Sequence, residues 1–204
     1  MSFAATHIKF AIDIMDHYEI SDISKYIAGS VYPDSRCLSG LSREVTHTNF
    51  EPKTDFEKGW QTHIICDEIH KDLRMKLLVG DYDWPAHQAV KSIQDLDVVR
   101  IFNIKPYLKF LDYAENPNGE DLDKILASNR IIQKIYDKEK MTVEDECRGC
   151  SEFLIAQDDV DMIKKKTKEF LKDEEIVGRI KAIYPESLRM YSNNPSTFQA
   201  RSDA

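Results

Sequence analysis

The run that opens at Thr54 constrains this chain most. Thr54-Asp-Phe-Glu57 has the spacing of a capping box, in which the threonine and the glutamate three residues on satisfy each other's backbone N–H groups. A helix is predicted from there to about Val79, with Phe56, Trp60, Ile64 and Leu73 available for burial. His63, Asp67 and His70 fall on another face of it, at i, i+4 and i+7. Strand-like alternation is scarce elsewhere, and glycine and proline number only seven each in 204 residues.

The rest of the chain reads as further helices. A first helix covers about Thr6 to Tyr18, with Phe10, Ile14 and Met15 as its apolar stripe, and a short one covers Ser21 to Ile27. A loop-rich stretch follows, from Ala28-Gly-Ser-Val-Tyr-Pro-Asp34 through Ser39-Gly-Leu-Ser to Thr46-His-Thr48. After Asp81-Tyr-Asp-Trp, Pro85 suits the first turn of a helix carrying His87. Pro106 separates that helix from one at about Tyr107–Tyr113, and Asn116-Pro-Asn-Gly119 is a turn. Amphipathic helices are predicted at about Leu122–Lys138, Thr142–Gln157, Val160–Leu171 and Glu174–Ile183, with a loose polar tail from Ser192 to Ala204. The expected fold is all-α, a single-domain multi-helix bundle over residues 1–191. Its chemistry-bearing half is about 1–95, and a helical scaffold occupies about 96–191.

Charge and composition narrow the function. With 36 acids against 28 bases the net charge is −8, which argues against a nucleic-acid partner. The one dense basic run, Lys164-Lys165-Lys166, is interleaved with acids and reads as a solvated helix face. No apolar run is long enough for a membrane span, and Met-Ser-Phe-Ala-Ala-Thr-His does not read as a secretion signal. Four cysteines do not make a disulfide scaffold, so the expected setting is reducing and cytoplasmic.

Chemistry concentrates before about position 90. His63 and Asp67 can converge an imidazole nitrogen and a carboxylate oxygen on one cation. Asp34, in a Pro-stiffened loop, and His47, between two threonines, complete a set of two histidines and two aspartates. That set suits zinc, or manganese or iron. The alternative is a hydrogen-bonded i,i+4 pair flanked by ordinary loop residues. His7, His70 and His87 are further candidate ligands, and His17 reads as an exposed helix-end residue. Cys147-Arg-Gly-Cys150 is a lone CxxC and weak as a metal or redox signal. No Gly-rich phosphate loop, Gly-x-Ser-x-Gly elbow, HExxH or adjacent His-Asp pair is present.

In order along the chain, Thr6-His7-Ile-Lys-Phe10-Ala, Gly29-Ser-Val-Tyr-Pro33-Asp34, His47, Phe56-Glu-Lys-Gly59-Trp-Gln-Thr-His63-Ile-Ile-Cys-Asp67 and His87 form a pattern that resembles the bacterial zinc-dependent phospholipase C-like family and its small relatives. The match covers about the first 90 residues. The resemblance implies that Asp34, His47, His63 and Asp67 bind one zinc, that His87 belongs to a second metal and His7 to a third position, with His70 a loose match to an additional histidine. Two departures stand out. The family completes its second site with a glutamate where this chain has Lys91, and it uses a processed N-terminal tryptophan that is not found here.

The function this implies is a metal-dependent hydrolase of a small phosphoester. Its metal lowers the pKa of a bound water, Asp67 or Asp34 acts as general base, and Lys91 or Arg36 stabilises phosphate charge. The rival readings are a helical protein with one structural metal and a helical interaction module.

Overall fold

The computed structural model describes residues 3–78, 83–153 and 156–200, with the side chains of Cys150, Gln199 and Ala200 excepted. Among them there is helix, 3₁₀ turn and connection, and no strand, so the chain is all-α. α1 (Ala4–Ile14) passes into a 3₁₀ turn at Met15–His17. α2 (Ile23–Val31) is capped by Asp22, whose carboxylate accepts from the N–H groups of Ser24 and Lys25. A 3₁₀ turn at Tyr32–Ser35 leads to the short α3 (Arg36–Ser39) and α4 (Arg43–Thr46). α5 (Asp55–Leu77) opens with both halves of the Thr54–Glu57 capping box in place. α6 (Trp84–Ile101) is capped by Asp83 and carries Pro85 in its first turn, where the missing N–H costs nothing. Then come α7 (Lys105–Leu108), α8 (Leu122–Tyr136), α9 (Val143–Glu152), α10 (Gln157–Phe170), α11 (Glu174–Asn193) and α12 (Pro195–Ala200). No helix among the described residues is long and apolar enough to cross a membrane.

Several boundaries differ from the sequence-based expectation. The stretch from Ala28 was expected to be loop, yet α2 continues through Gly29 and Ser30 to Val31, and the Pro33-Asp34 segment is a buried 3₁₀ turn. α11 runs on past Pro185 to Asn193 instead of ending at Ile183. Ile180, Ile183, Tyr184, Ser187 and Tyr191 are all buried along it, and that packing outweighs one lost backbone bond. Where a loose tail was expected, α12 forms and Phe198 stacks on Tyr191, with ring centroids 6.1 Å apart. Residues 201–204 and the predicted helix end at Val79 lie outside the described residues. The Asn116–Gly119 turn forms as expected, with Gly119 at φ +76° donating its N–H to the Asn116 carbonyl at 2.9 Å.

The contact that positions the site is the crossing of α2 and α5. A side chain on Gly29 would begin 2.0 Å from the Phe56 carbonyl oxygen, and one on Gly59 would begin 1.9 Å from the Tyr26 carbonyl oxygen. The two glycines therefore let the backbones touch reciprocally, as no other residue allows. A second link fixes α1. The Thr6 N–H and hydroxyl both donate to Asp95 Oδ1 of α6 at 2.7 Å, and Tyr136 of α8 donates to Asp95 Oδ2 at 2.6 Å. The larger apolar core, including Ile8, Phe10, Ile69, Val90, Ile93 and Ile183, fills the space among α1, α5, α6 and α11.

Candidate metal centre

These two links bring His7 of α1 against His63 of α5. Their rings stack, with centroids 3.7 Å apart and planes 12° from parallel. His47, just past α4, meets the His63 ring edge-on at 5.4 Å. Asp67, one turn after His63, sits among these rings and two cations. Its Oδ1 lies 3.2 Å from Lys91 Nζ and 3.9 Å from His7 Nε2. Its Oδ2 lies 3.2 Å from an Arg43 guanidinium nitrogen and 3.6 Å from His47 Nε2.

Hydrogen bonds fix the tautomers. His63 Nδ1 donates to the Ser30 carbonyl at 2.9 Å, because a carbonyl can only accept. That leaves the Nε2 lone pair of His63 buried with no partner. Arg43 donates to His47 Nε2 at 3.1 Å, and His47 Nδ1 donates to Thr46 Oγ1 at 2.9 Å. His7 Nδ1 is also buried without a partner.

Burial decides the protonation. It holds His63 down at about 4, and it holds His7 well below the ordinary imidazole value, with the neighbouring His63 adding to the effect. Both rings are thus neutral at pH 7, the form a metal requires of histidine. Asp67 goes the other way. Burial opposes its charge, but Lys91 holds its carboxyl well below the usual range. Asp34 is likewise lowered, to about 2, against the opposing effect of burial.

These features fit a metal ion. Donor atoms of His7, His63 and Asp67 all lie within 4.8 Å of one another. A ligand histidine characteristically gives its other N–H to a carbonyl or carboxylate, as His63 does to Ser30. Two buried nitrogens without partners are costly, about 1–3 kcal/mol each, unless something occupies them.

The other sequence-derived candidates are placed as follows. Asp34 is buried in the Tyr32–Ser35 turn and acts electrostatically on both His7 and His63. His70 is buried outside the trio. Its Nδ1 accepts from the Gln94 amide at 2.8 Å, and burial holds it neutral, at about 3. His87 is exposed on α6, one turn before Lys91 and outside the trio. Arg36 is half-buried on α3, and its nearby acid is Glu44. Cys147 is buried, and its thiol is pushed up to about 11 by burial, so it is not a reactive thiolate. His17 lies edge-on to Tyr191 at 5.2 Å.

The inner set thus differs from the sequence reading: His7 stands inside it, and both Asp34 and His47 fall outside it, at its border. Arg43, Ser30 and Arg74 were not singled out beforehand. Arg43 is four residues before His47, and Arg74 extends the His63, Asp67, His70 stripe by one more turn. Those spacings were the available signals. No family model, curated protein or solved structure matches the chain, so the likeness to zinc-dependent phospholipase C rests on the ordered residues quoted above.

Proposed function

We propose that His7, His63 and Asp67 hold one divalent metal ion, with His47 and Asp34 at its border, and that the protein hydrolyses a small phosphoester. The observation that carries this reading is a pair of buried imidazole nitrogens without partners, the His63 Nε2 lone pair and His7 Nδ1, beside a carboxylate that stays ionised. Two imidazoles and a carboxylate suit zinc, with manganese and iron as alternatives. Such an ion, when bound, supplies Lewis acidity toward a phosphoryl oxygen and acidifies water. Lys91 and Arg43, paired to the two oxygens of Asp67, supply fixed positive charge for the phosphoryl group. Asp67 and Asp34 bind protons weakly, which suits ligation and orientation and makes both poor general bases. The acidic chain favours a soluble ester over nucleic acid. The free thiols of Cys37, Cys66 and Cys147 go with a reducing, cytoplasmic setting.

A second reading, a purely structural ion, is favoured by closure, since the side chains of His7 and Asp67 are only 5% and 11% exposed. Metal analysis of protein purified without chelator, with hydrolysis of p-nitrophenyl phosphate and its bis-ester, separates the two. The expected outcome is a single equivalent of metal and a metal-dependent hydrolysis, both lost in His63→Ala. One equivalent without hydrolysis, with unfolding on chelation, selects the structural ion. A metal-free wild type whose stability is unchanged in His63→Ala removes both readings.

A further inference from the structure

Arg43 bridges two acceptors of the centre from its rim. One guanidinium nitrogen donates to His47 Nε2 at 3.1 Å, and the other donates to Asp67 Oδ2 at 3.2 Å. The two acceptor atoms are 3.6 Å from each other. Bonds of about 2.0–2.2 Å place two tetrahedral ligands of one zinc ion about 3.4 Å apart. The guanidinium thus spans a nitrogen and an oxygen that already stand at ligand spacing. Their side chains are 7% and 11% exposed, whereas that of Arg43 is 54% exposed.

The other end of α4 is held from inside. Thr46 is fully buried, and its carbonyl accepts from Trp60 Nε1 at 2.6 Å. Its hydroxyl accepts from His47 Nδ1 at 2.9 Å, which fixes the imidazole with its Nε2 lone pair toward Arg43. The His47 N–H closes the turn on the Arg43 carbonyl at 2.8 Å. Only the long Arg43 side chain reaches the pair from the rim, and it can leave by turning about its own bonds while the backbone stays in place. Asp67 then keeps Lys91, 3.2 Å from Oδ1.

We infer that Arg43 is a displaceable stand-in for the metal: its guanidinium keeps His47 Nε2 and Asp67 Oδ2 in register while no ion is bound, and an entering divalent cation expels it. The inference rests on the metal reading. His47 Nε2 has a single lone pair, so it serves the guanidinium or the ion and never both. The exchange is easy in one direction. An exposed arginine ion pair is worth a factor of up to about five in a binding constant. The hold of zinc on imidazole and carboxylate is many orders of magnitude stronger. Arginine suits the task where lysine does not, because its fork reaches two acceptors at once and an ammonium is a point charge. Expelled, the guanidinium stays tethered at the rim, and its charge remains available to the phosphoryl group.

Nitrogen-15 spectra of the arginine side chains test the exchange, recorded on chelator-treated full-length protein before and after one equivalent of zinc. The Arg43 signal is assigned by its loss in Arg43→Lys. It is expected to shift from a hydrogen-bonded to a solvent-exposed position as zinc enters. X-ray absorption of the zinc-loaded protein should lose one imidazole in His47→Ala. Zinc affinity, measured by competition with a chromogenic chelator, should rise by up to about fivefold in Arg43→Ala and by less in Arg43→Lys. In a His47→Ala background the gain from Arg43→Ala should shrink, since only Asp67 is then released. An Arg43 signal unmoved in zinc-loaded protein overturns the displacement, as does an imidazole count unchanged in His47→Ala. Zinc bound by neither wild type nor Arg43→Ala instead removes the metal reading, and the inference with it.

Discussion

Two buried polar clusters share α1 and α6, and they are built to opposite rules. Around Asp95 the carboxylate is answered by the Thr6 N–H and hydroxyl and by Tyr136, with Glu146 3.3 Å from the same phenol oxygen. Around His63 the Ser30 carbonyl fixes that ring's tautomer, yet two ring nitrogens, His63 Nε2 and His7 Nδ1, have no partner. One residue separates them in sequence, since Thr6 serves the first cluster and His7 the second. A buried network in which donors and acceptors are matched holds helices together. One with ring nitrogens left over is what the proposed ion would complete.

The comparison breaks most completely at the α2–α5 crossing, on which the second cluster depends. Gly59→Ala places a methyl carbon against the Tyr26 carbonyl. It is expected to cost about 3 kcal/mol or more in urea unfolding and to abolish metal uptake with it. A smaller effect should separate the clusters cleanly. Tyr136→Phe removes the donor to Asp95 and is expected to cost about 1–3 kcal/mol while leaving metal uptake unchanged. Loss of metal binding in that variant would show that the two clusters are one.

The acid pair should also reveal itself through pH. Burial raises both Asp95 and Glu146, and for Glu146 the nearby Asp95 charge adds to the rise above its ordinary value of 4.5. Below that value the folded and unfolded chains both hold the proton. Above it the unfolded chain releases a proton that the folded chain keeps, so stability falls as pH rises, by up to about 1.4 kcal/mol per unit while the difference lasts. Glu146→Gln should flatten this fall, overtaking wild type in stability toward neutral pH. A parallel pair of stability–pH curves would contradict it. The smallest expected effect is at Arg43, whose side chain is 54% exposed. Arg43→Ala frees Asp67 Oδ2 and His47 Nε2 from a competing cation and should tighten zinc binding by up to about fivefold, the scale of an exposed ion pair.

Much of this was legible in the sequence where a local rule applies. The Thr54–Glu57 box announced α5, Pro85 announced α6, and helical spacing put His63, Asp67 and His70 on one face. What was not legible depends on tertiary contact. Gly29 and Ser30 look like a loop because glycine weakens a helix, and only the approach of Phe56 shows why a glycine stands there. Pro185 looks like a stop, and only the burial of Tyr184, Ser187 and Tyr191 carries the helix past it. His7 and His63 lie far apart in the chain, and their stacking depends on Asp95 holding Thr6.

The partner that orients His63 is a main-chain carbonyl, so replacing the Ser30 side chain cannot delete it. The Ser30 hydroxyl is itself turned back onto the Ile27 carbonyl at 2.7 Å. The site's orientation is thus buffered against point mutation where it would be expected to be fragile. The vulnerability is displaced onto two glycines, and drift in a population of such sequences should be tolerated among small residues at the buried position 30 and purged at 29 and 59.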